Sequence, residues 1–223
     1  IAIGGMWIVL LLVLIPGWFI AESFGNRENM RLRARIAGLA PTYAEGLTEM
    51  GHAAITIDTS PEDPTYLAMI EQQIRWLELN QSVADIYTFR KHPDGNMLIV
   101  DSETDYDRNG KYEGDRESRT EIGEIWVEFN TSIEGAYNGS PGFDDIPYSD
   151  RWGTWVSAYV PMFDEDRNVE AVLGVDFPAD EWVRSMRRAR CTAIGFLGVL
   201  VTLVLAAGAV IGMLRANLLE RRR

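Results

Sequence analysis

The sequence predicts an α+β fold: an antiparallel sheet with a long N-terminal helix, flanked by two transmembrane helices. Three observations lead there. Ile1–Ala21 and Cys191–Leu214 contain no charged residue, and about 20 apolar residues are what a helix needs to cross a bilayer core. Between them, apolar residues change from helical spacing to strict alternation in two places. Each alternating stretch is doubled about a turn, as in a hairpin. Helices followed by hairpins, without the regular strand–helix repeat of a parallel sheet, make an α+β arrangement.

Charge narrows the partners. The 223 residues include 33 acidic and 21 basic side chains. With the four arginines and one glutamate beyond Leu214 set apart, residues 22–190 keep 32 acidic and 17 basic side chains, a net charge of −15. Such a surface repels phosphate backbones and argues against nucleic acid as a partner. The single cysteine, Cys191, excludes an internal disulfide framework and a Cys-based zinc site. The chain starts at Ile1 and ends on three arginines; it reads as a piece of a longer protein.

Taken in order, Ile1–Ala21 reads as an uncleaved anchor. It exceeds the usual apolar core of a signal peptide and has no clear A-x-A cleavage site. Trp7 and Trp18 suit its two interfaces. Residues 22–50 read as a helix with a stripe of Met30, Ile36, Ala37, Leu39 and Ala40, broken by Pro41 and resumed over Thr42–Met50. A loop at 59–64 leads into a helix, Thr65–Leu79, whose apolar face is Leu67, Ile70, Ile74 and Leu77. Val83–Arg90 and Met97–Val100 alternate about the turn His92–Gly95 and form the first hairpin. Glu121–Phe129 reads as a short helix with Ile122, Ile125, Trp126 and Phe129 on one side, and Asn138–Asp150 as loop. Trp155–Phe163 and Val169–Phe177 form the second hairpin about Asp164–Asn168. Pro178 opens a helix, Ala179–Arg190, that continues into Cys191–Leu214. Four regions follow: a membrane helix over 1–21, a folded insert over 22–190, a second membrane helix over 191–214, and a linker over 215–223. Gly208-x-x-x-Gly212 suits a helix–helix seam and a lipid-facing helix equally. Arg221–Arg223 favour a cytoplasmic C-terminus, whereas Arg184, Arg187, Arg188 and Arg190 favour the reverse. Long loops are translocated largely regardless of charge, so the rule has little authority over this insert; an acidic insert outside and a basic tail inside is the expected orientation.

Two candidate chemistries remain. His52 and His92 are the only histidines, and no phosphate-cradling glycine loop or nucleophile–base set appears, so the chain reads as non-catalytic. Asp105-Tyr106-Asp107-Arg108-Asn109-Gly110 matches the start of a calcium loop, with Asp105, Asp107 and Asn109 as alternate oxygen ligands. The twelfth position is Arg116 where a glutamate belongs. A looser Ca²⁺ loop and a solvated acidic loop both stay open.

A larger pattern emerges from Ile86-Tyr87-Thr88, Asp94-Gly95 with Asp101 and Glu103, Tyr148-Ser149-Asp150-Arg151-Trp152-Gly153-Thr154-Trp155-Val156-Ser157, Tyr159-Val160-Pro161-Met162 and Val172-Leu173-Gly174-Val175-Asp176-Phe177. In this order, across residues 22–190, the chain resembles the Cache domains. These are PAS-like extracytoplasmic sensors of bacterial histidine kinases, diguanylate cyclases and chemoreceptors. The resemblance implies a small-molecule pocket on the concave face of the sheet and a signal leaving by the last helix. It implies a two-pass protein of the bacterial inner membrane, with a periplasmic sensor domain, a homodimeric state and an output module beyond the C-terminus. Tyr148, Asp150 and Asp176 match the family's amine-binding residues. Trp126 matches part of its carboxylate-gripping motif, but Glu124 stands where the arginine belongs. An α-amino acid is therefore not expected, and an amine, a purine-like molecule or another neutral solute stays open; a carboxylate would need another base, such as Arg90 or Arg151. Tyr87 and Tyr159 read equally as pocket walls or core, whereas Trp152 and Trp155 read as core before pocket wall. Asp176 has a second reading as a helix cap, and Tyr148 and Asp150 as turn residues. The alternative function is a calcium-stabilised or partner-binding membrane ectodomain.

Overall fold

The computed structural model describes residues 2–221 except 107, 108, 115, 128, 129 and 145; the side chains of 2–14, 204, 211 and 215 also fall outside the description. Asp107 of the acidic loop, Phe129 and most side chains of the first apolar run therefore lie outside the described residues. The chain divides into two compact units, residues 32–182 and residues 1–31 with 183–223.

The unit 32–182 is built on one antiparallel sheet. Its strands are β1 (Asp85–His92), β2 (Gly95–Asp101), β3 (Ile125–Trp126), β4 (Gly142–Phe143), β5 (Tyr148–Ser149), β6 (Thr154–Phe163) and β7 (Val169–Pro178). The order is β3-β2-β1-β7-β6-β4, and β5 also pairs with β6. Both expected hairpins form, as β1–β2 and β6–β7. The last strand of the second hairpin returns beside the first strand of the first, with Asp85 opposite Asp176 and Phe89 opposite Val172.

One face of the sheet carries helices. Helix α1 (Ala2–Glu49) runs through Pro41 without a break, where the sequence predicted one. Ala40, Tyr43, Ala44 and Leu47 are buried around it, and tertiary burial outweighs the roughly 3 kcal/mol an interior proline costs. Helix α2 (Pro64–Leu79) starts at Asp63, whose Oδ1 accepts from the Thr65 and Tyr66 amides at 2.8 and 3.0 Å. Trp76 of α2 stacks on Tyr43 of α1, ring centroids 4.6 Å apart. Gly46 permits this approach, since a Cβ there would meet the Trp76 ring at 3.0 Å. Between the two helices His52, fully buried, places Nε2 2.7 Å from Thr88 Oγ1 and Nδ1 2.9 Å from Glu170 Oε2. Glu170 is the extra residue of a bulge in β7 opposite Phe163, and bulges re-aim a side chain. Arg90 binds the same carboxylate and donates to the Ile55 and His52 carbonyls. Burial alone would raise the pKa of Glu170; the bonds from His52 and the charge of Arg90 outweigh it and hold it below the ordinary value.

The other face is half covered. Helix α3 (Thr131–Tyr137) is capped by Asn130, whose Oδ1 accepts from the Ser132 and Ile133 amides. Ile133 and Ala136 pack on Phe89, Leu98, Tyr159 and Val172. This helix was not expected. The predicted helix Glu121–Phe129 is instead a turn and strand β3. Gly123, at φ +91°, cannot continue a helix. Its amide and the Glu124 carbonyl bond to Leu98, extending the sheet. The expected loop 138–150 holds two short strands, β4 and β5.

In the other unit, α1 and helix α4 (Ala179–Glu220) run antiparallel. Arg190 binds Glu22 at 2.8 Å, and Leu197 lies 3.4 Å from where a Gly17 Cβ would be. Among the described residues one helix, α4, is long and apolar enough to cross a membrane, with mean hydropathy 2.6 over its apolar window.

Candidate functional site

Residues directly opposite each other in an antiparallel pair share a face of the sheet. The register therefore writes two rows of side chains above the part of the sheet that α3 leaves bare. Asp85 stands opposite Asp176, which stands opposite Ser157. Asp101 stands opposite Tyr87, Tyr87 opposite Gly174, and Gly174 opposite Tyr159. Strands β3 and β5 and the turn 150–153 wall the space between. The resulting cleft encloses about 310 Å³ of free space, its open mouth included, and is lined by Asp85, Tyr87, Asp101, Tyr148, Asp150 and Asp176, with Leu98, Trp126 and Trp152.

Gly174 makes the cleft possible. A Cβ there would overlap Cε2 and Cζ of Tyr87, so the glycine lets the phenol lie across β7. Its hydroxyl then donates to Asp176 Oδ1 at 3.0 Å, and Ser157 donates to the same oxygen. Asp85 accepts from the Ile86 amide at 2.9 Å, from Ser102, and from Tyr106 at 2.9 Å. Thr120 donates to Asp101 Oδ2, whereas Asp101 Oδ1 is buried without a partner. The indole Nε1 of Trp126 is likewise buried and unpartnered. Asp150 Oδ1 gathers the amides of Trp152 and Gly153 and the Trp155 indole at 2.8–2.9 Å.

Three of these carboxylates, Asp85, Asp101 and Asp176, are 6%, 9% and 3% exposed. Among the described residues none of the four cleft aspartates forms an ion pair. Arg116 stacks on the Tyr106 ring and donates to the Trp152 carbonyl, and Arg151 lies over Trp152 and binds Glu124 at 2.7 Å. Burial raises all three pKa values: that of Asp85 to about 6, and those of Asp101 and Asp176, which also feel Asp85, well above the ordinary range. The sign of the pH dependence follows. A carboxyl whose folded pKa is raised contributes stability that is full below its unfolded value and is lost as pH rises through the folded value. The ligand-free chain is therefore expected to melt at higher temperature as pH falls from 8 to 5. Across that range Asp85 alone contributes about 1 kcal/mol, the rest being gained only below pH 5. Thermal melts at several pH values check this, and a flat profile or a fall towards pH 5 would contradict it.

Five of the eight sequence-predicted ligand residues line the cleft: Tyr87, Trp126, Tyr148, Asp150 and Asp176. Three do not. Arg90 points to the helix face, because it alternates with Phe89, and is held by Glu170. Tyr159 is buried against Phe89. Trp155 is buried beneath the turn, with Gly153 so close over its ring that a Cβ would overlap it; Trp152, read as core, lines the cleft instead. Asp176 accepts bonds from Tyr87 and Ser157 across the sheet. Asp85 went unnoticed because it sits at the start of β1. In the acidic loop Asp105 accepts from the Asn109 and Gly110 amides, and Asn109 Oδ1 from the Lys111 amide; Asp107 lies outside the described residues.

No family model matches the sequence, and no curated protein does. Solved structures do. The sensor domain of the V. cholerae histidine kinase DctB matches with TM-score 0.50 and 13% identity, over 74% of this chain and 57% of that one. The chain shares the fold of that DctB domain. The periplasmic sensory domain of the Campylobacter jejuni chemoreceptor Tlp1 matches with TM-score 0.47 and 13% identity, covering 74% of this chain and 61% of that one. The ligand-binding domain of C. jejuni Tlp3, solved with L-valine, matches with TM-score 0.44 and 9% identity, covering 74% and 60%. The chain thus spans about 60% of the length of these structures. In the sensor fold the acidic cleft lies on the sheet face opposite α1 and α2, and Asp176 stands three residues before α4 begins at Ala179.

Proposed function

We propose that this chain is the input region of a bacterial transmembrane receptor, which binds a small amine-bearing molecule outside the membrane and passes the signal inward. Asp176 carries the reading: it is buried, it forms no ion pair among the described residues, and it opens into a cleft. A buried carboxylate without a cation is costly, and an ammonium bonded to it would remove that cost. Tyr148 and Asp150 line the same cleft to share the ligand, and the rings of Tyr87, Trp126 and Trp152 offer faces to a cation. β7 passes into α4 with no intervening loop, so a ligand that draws Asp176 toward Asp150 acts on the chain just before that helix. The receptor works by binding one state better than the other. Residues 22–190 would be periplasmic, 1–21 and 191–214 would cross the inner membrane, and 215–223 would lead to an output module in a homodimeric protein.

The test is thermal melting of the whole chain in lipid nanodiscs against amines, amino acids, nucleobases, small acids and Ca²⁺. Ligand at a hundredfold excess over Kd stabilises by about 2.7 kcal/mol. An amine-dependent rise that disappears in Asp176→Ala is expected. A rise with Ca²⁺ alone, lost in Asp105→Ala and kept in Asp176→Ala, would replace the reading by a calcium-stabilised ectodomain.

A further inference from the structure

Beyond the amine, the cleft carries two polar atoms that no described residue answers. Asp101 is 9% exposed, its Oδ2 is bonded by Thr120, and its Oδ1 has no partner. Trp126 Nε1, also buried, has none. Both side chains line the cleft. They flank Tyr87: Asp101 is its partner across β2, and the Trp126 ring stands edge-on to it at 6.1 Å. Asp176, Asp150 and Tyr148 belong to the other side, on or beside β7 and β5. A buried donor or acceptor without a partner costs about 1–3 kcal/mol, and native structures leave few of them.

Resting on the amine reading above, we infer that the ligand carries a second, uncharged group that both donates and accepts, a hydroxyl or a primary carboxamide. That group donates to Asp101 Oδ1 and accepts from Trp126 Nε1, while its ammonium sits at Asp176. An alkyl end satisfies neither atom. A second ammonium has no lone pair for the indole, and a carboxylate has no hydrogen for Asp101. The group also suits Asp101 whether or not that carboxyl carries a proton on Oδ2. Sites built to bond a hydroxyl or amide reject analogues that lack it.

The experiment uses the whole chain in nanodiscs and a series alike except at one end: n-pentylamine, 4-aminobutan-1-ol, 4-aminobutanamide, 1,4-diaminobutane and 4-aminobutyrate, each also with one carbon fewer and one more. Calorimetry is expected to rank the alcohol or the amide about tenfold or more above the alkylamine, the diamine and the acid at the best chain length. Trp126→Phe and Asp101→Ala should each shrink that ratio to within about threefold. Trp126→Phe keeps an aromatic ring, so a folding failure in the aspartate variant leaves the test intact. Equal binding of all the amines, preference for the diamine, or a ratio unmoved in Trp126→Phe would overturn the inference alone. Binding of none of them would overturn the amine reading itself.

Discussion

Asp176→Asn is expected to raise the melting temperature of the ligand-free chain at pH 7.5 and to cut its affinity for an amine by about 100-fold. The two effects have one origin. The carboxylate is buried, its Oδ1 is held by Tyr87 and Ser157, and burial pushes its pKa up. Asparagine keeps that acceptor while removing a charge that folding must desolvate. It also removes the counter-charge for the ligand, and losing one partner of a buried charge pair costs about 2–5 kcal/mol in binding. Paired melts and calorimetry on the same preparation check both signs. A variant that loses stability along with affinity would show that Asp176 serves the sheet rather than a ligand.

Gly174→Ala should cost about 1–3 kcal/mol of stability and remove amine binding with it. The new methyl would occupy the place of the Tyr87 ring, and that ring has nowhere to go. It is 7% exposed and wedged against Phe89 and Trp126. Driving it off also breaks its bond to Asp176. Adding Tyr87→Leu removes the clash, so the double variant should recover stability, with a coupling of about 1 kcal/mol or more in a denaturant cycle. It should not recover binding, because the phenol is gone. Additive effects would show that the ring is not what excludes a side chain at Gly174.

Both hairpins were legible because their alternation is local, and α2 because its start is marked at Asp63, though its buried face is Tyr66, Met69, Ile70 and Gln73 and shares only Ile70 with the expected one. What escaped depends on contacts made far along the chain. Pro41 reads as a breaker, yet the burial of Tyr43 and Leu47 carries α1 past it. Ile125 and Trp126 suit a helix face, but β2 presents unpaired backbone groups at that edge, and the left-handed Gly123 turns the chain onto them. In the site, Tyr148, Asp150 and Asp176 stood out through a motif, whereas Asp85 carries none and Asp101, part of the larger pattern, was given no role in the pocket. Only the register sets Asp85 against Asp176.

Asp101 has a further reason for staying hidden. Thr88 pairs with Val100 and Phe89 with Leu98, so β2 spends one extra residue, Ile99, at that step. Leu98 and Asp101, three apart, both face the cleft because of it, which even spacing would forbid. The hydrophobic floor and the acid at the rim are thus phased by a single inserted residue. Straightening the bulge, so that Ile99 took its own place in the ladder, would turn the acid out of the cavity. Two proteins with the same residues along this strand can therefore differ in what they recognise through the presence or absence of one bulge.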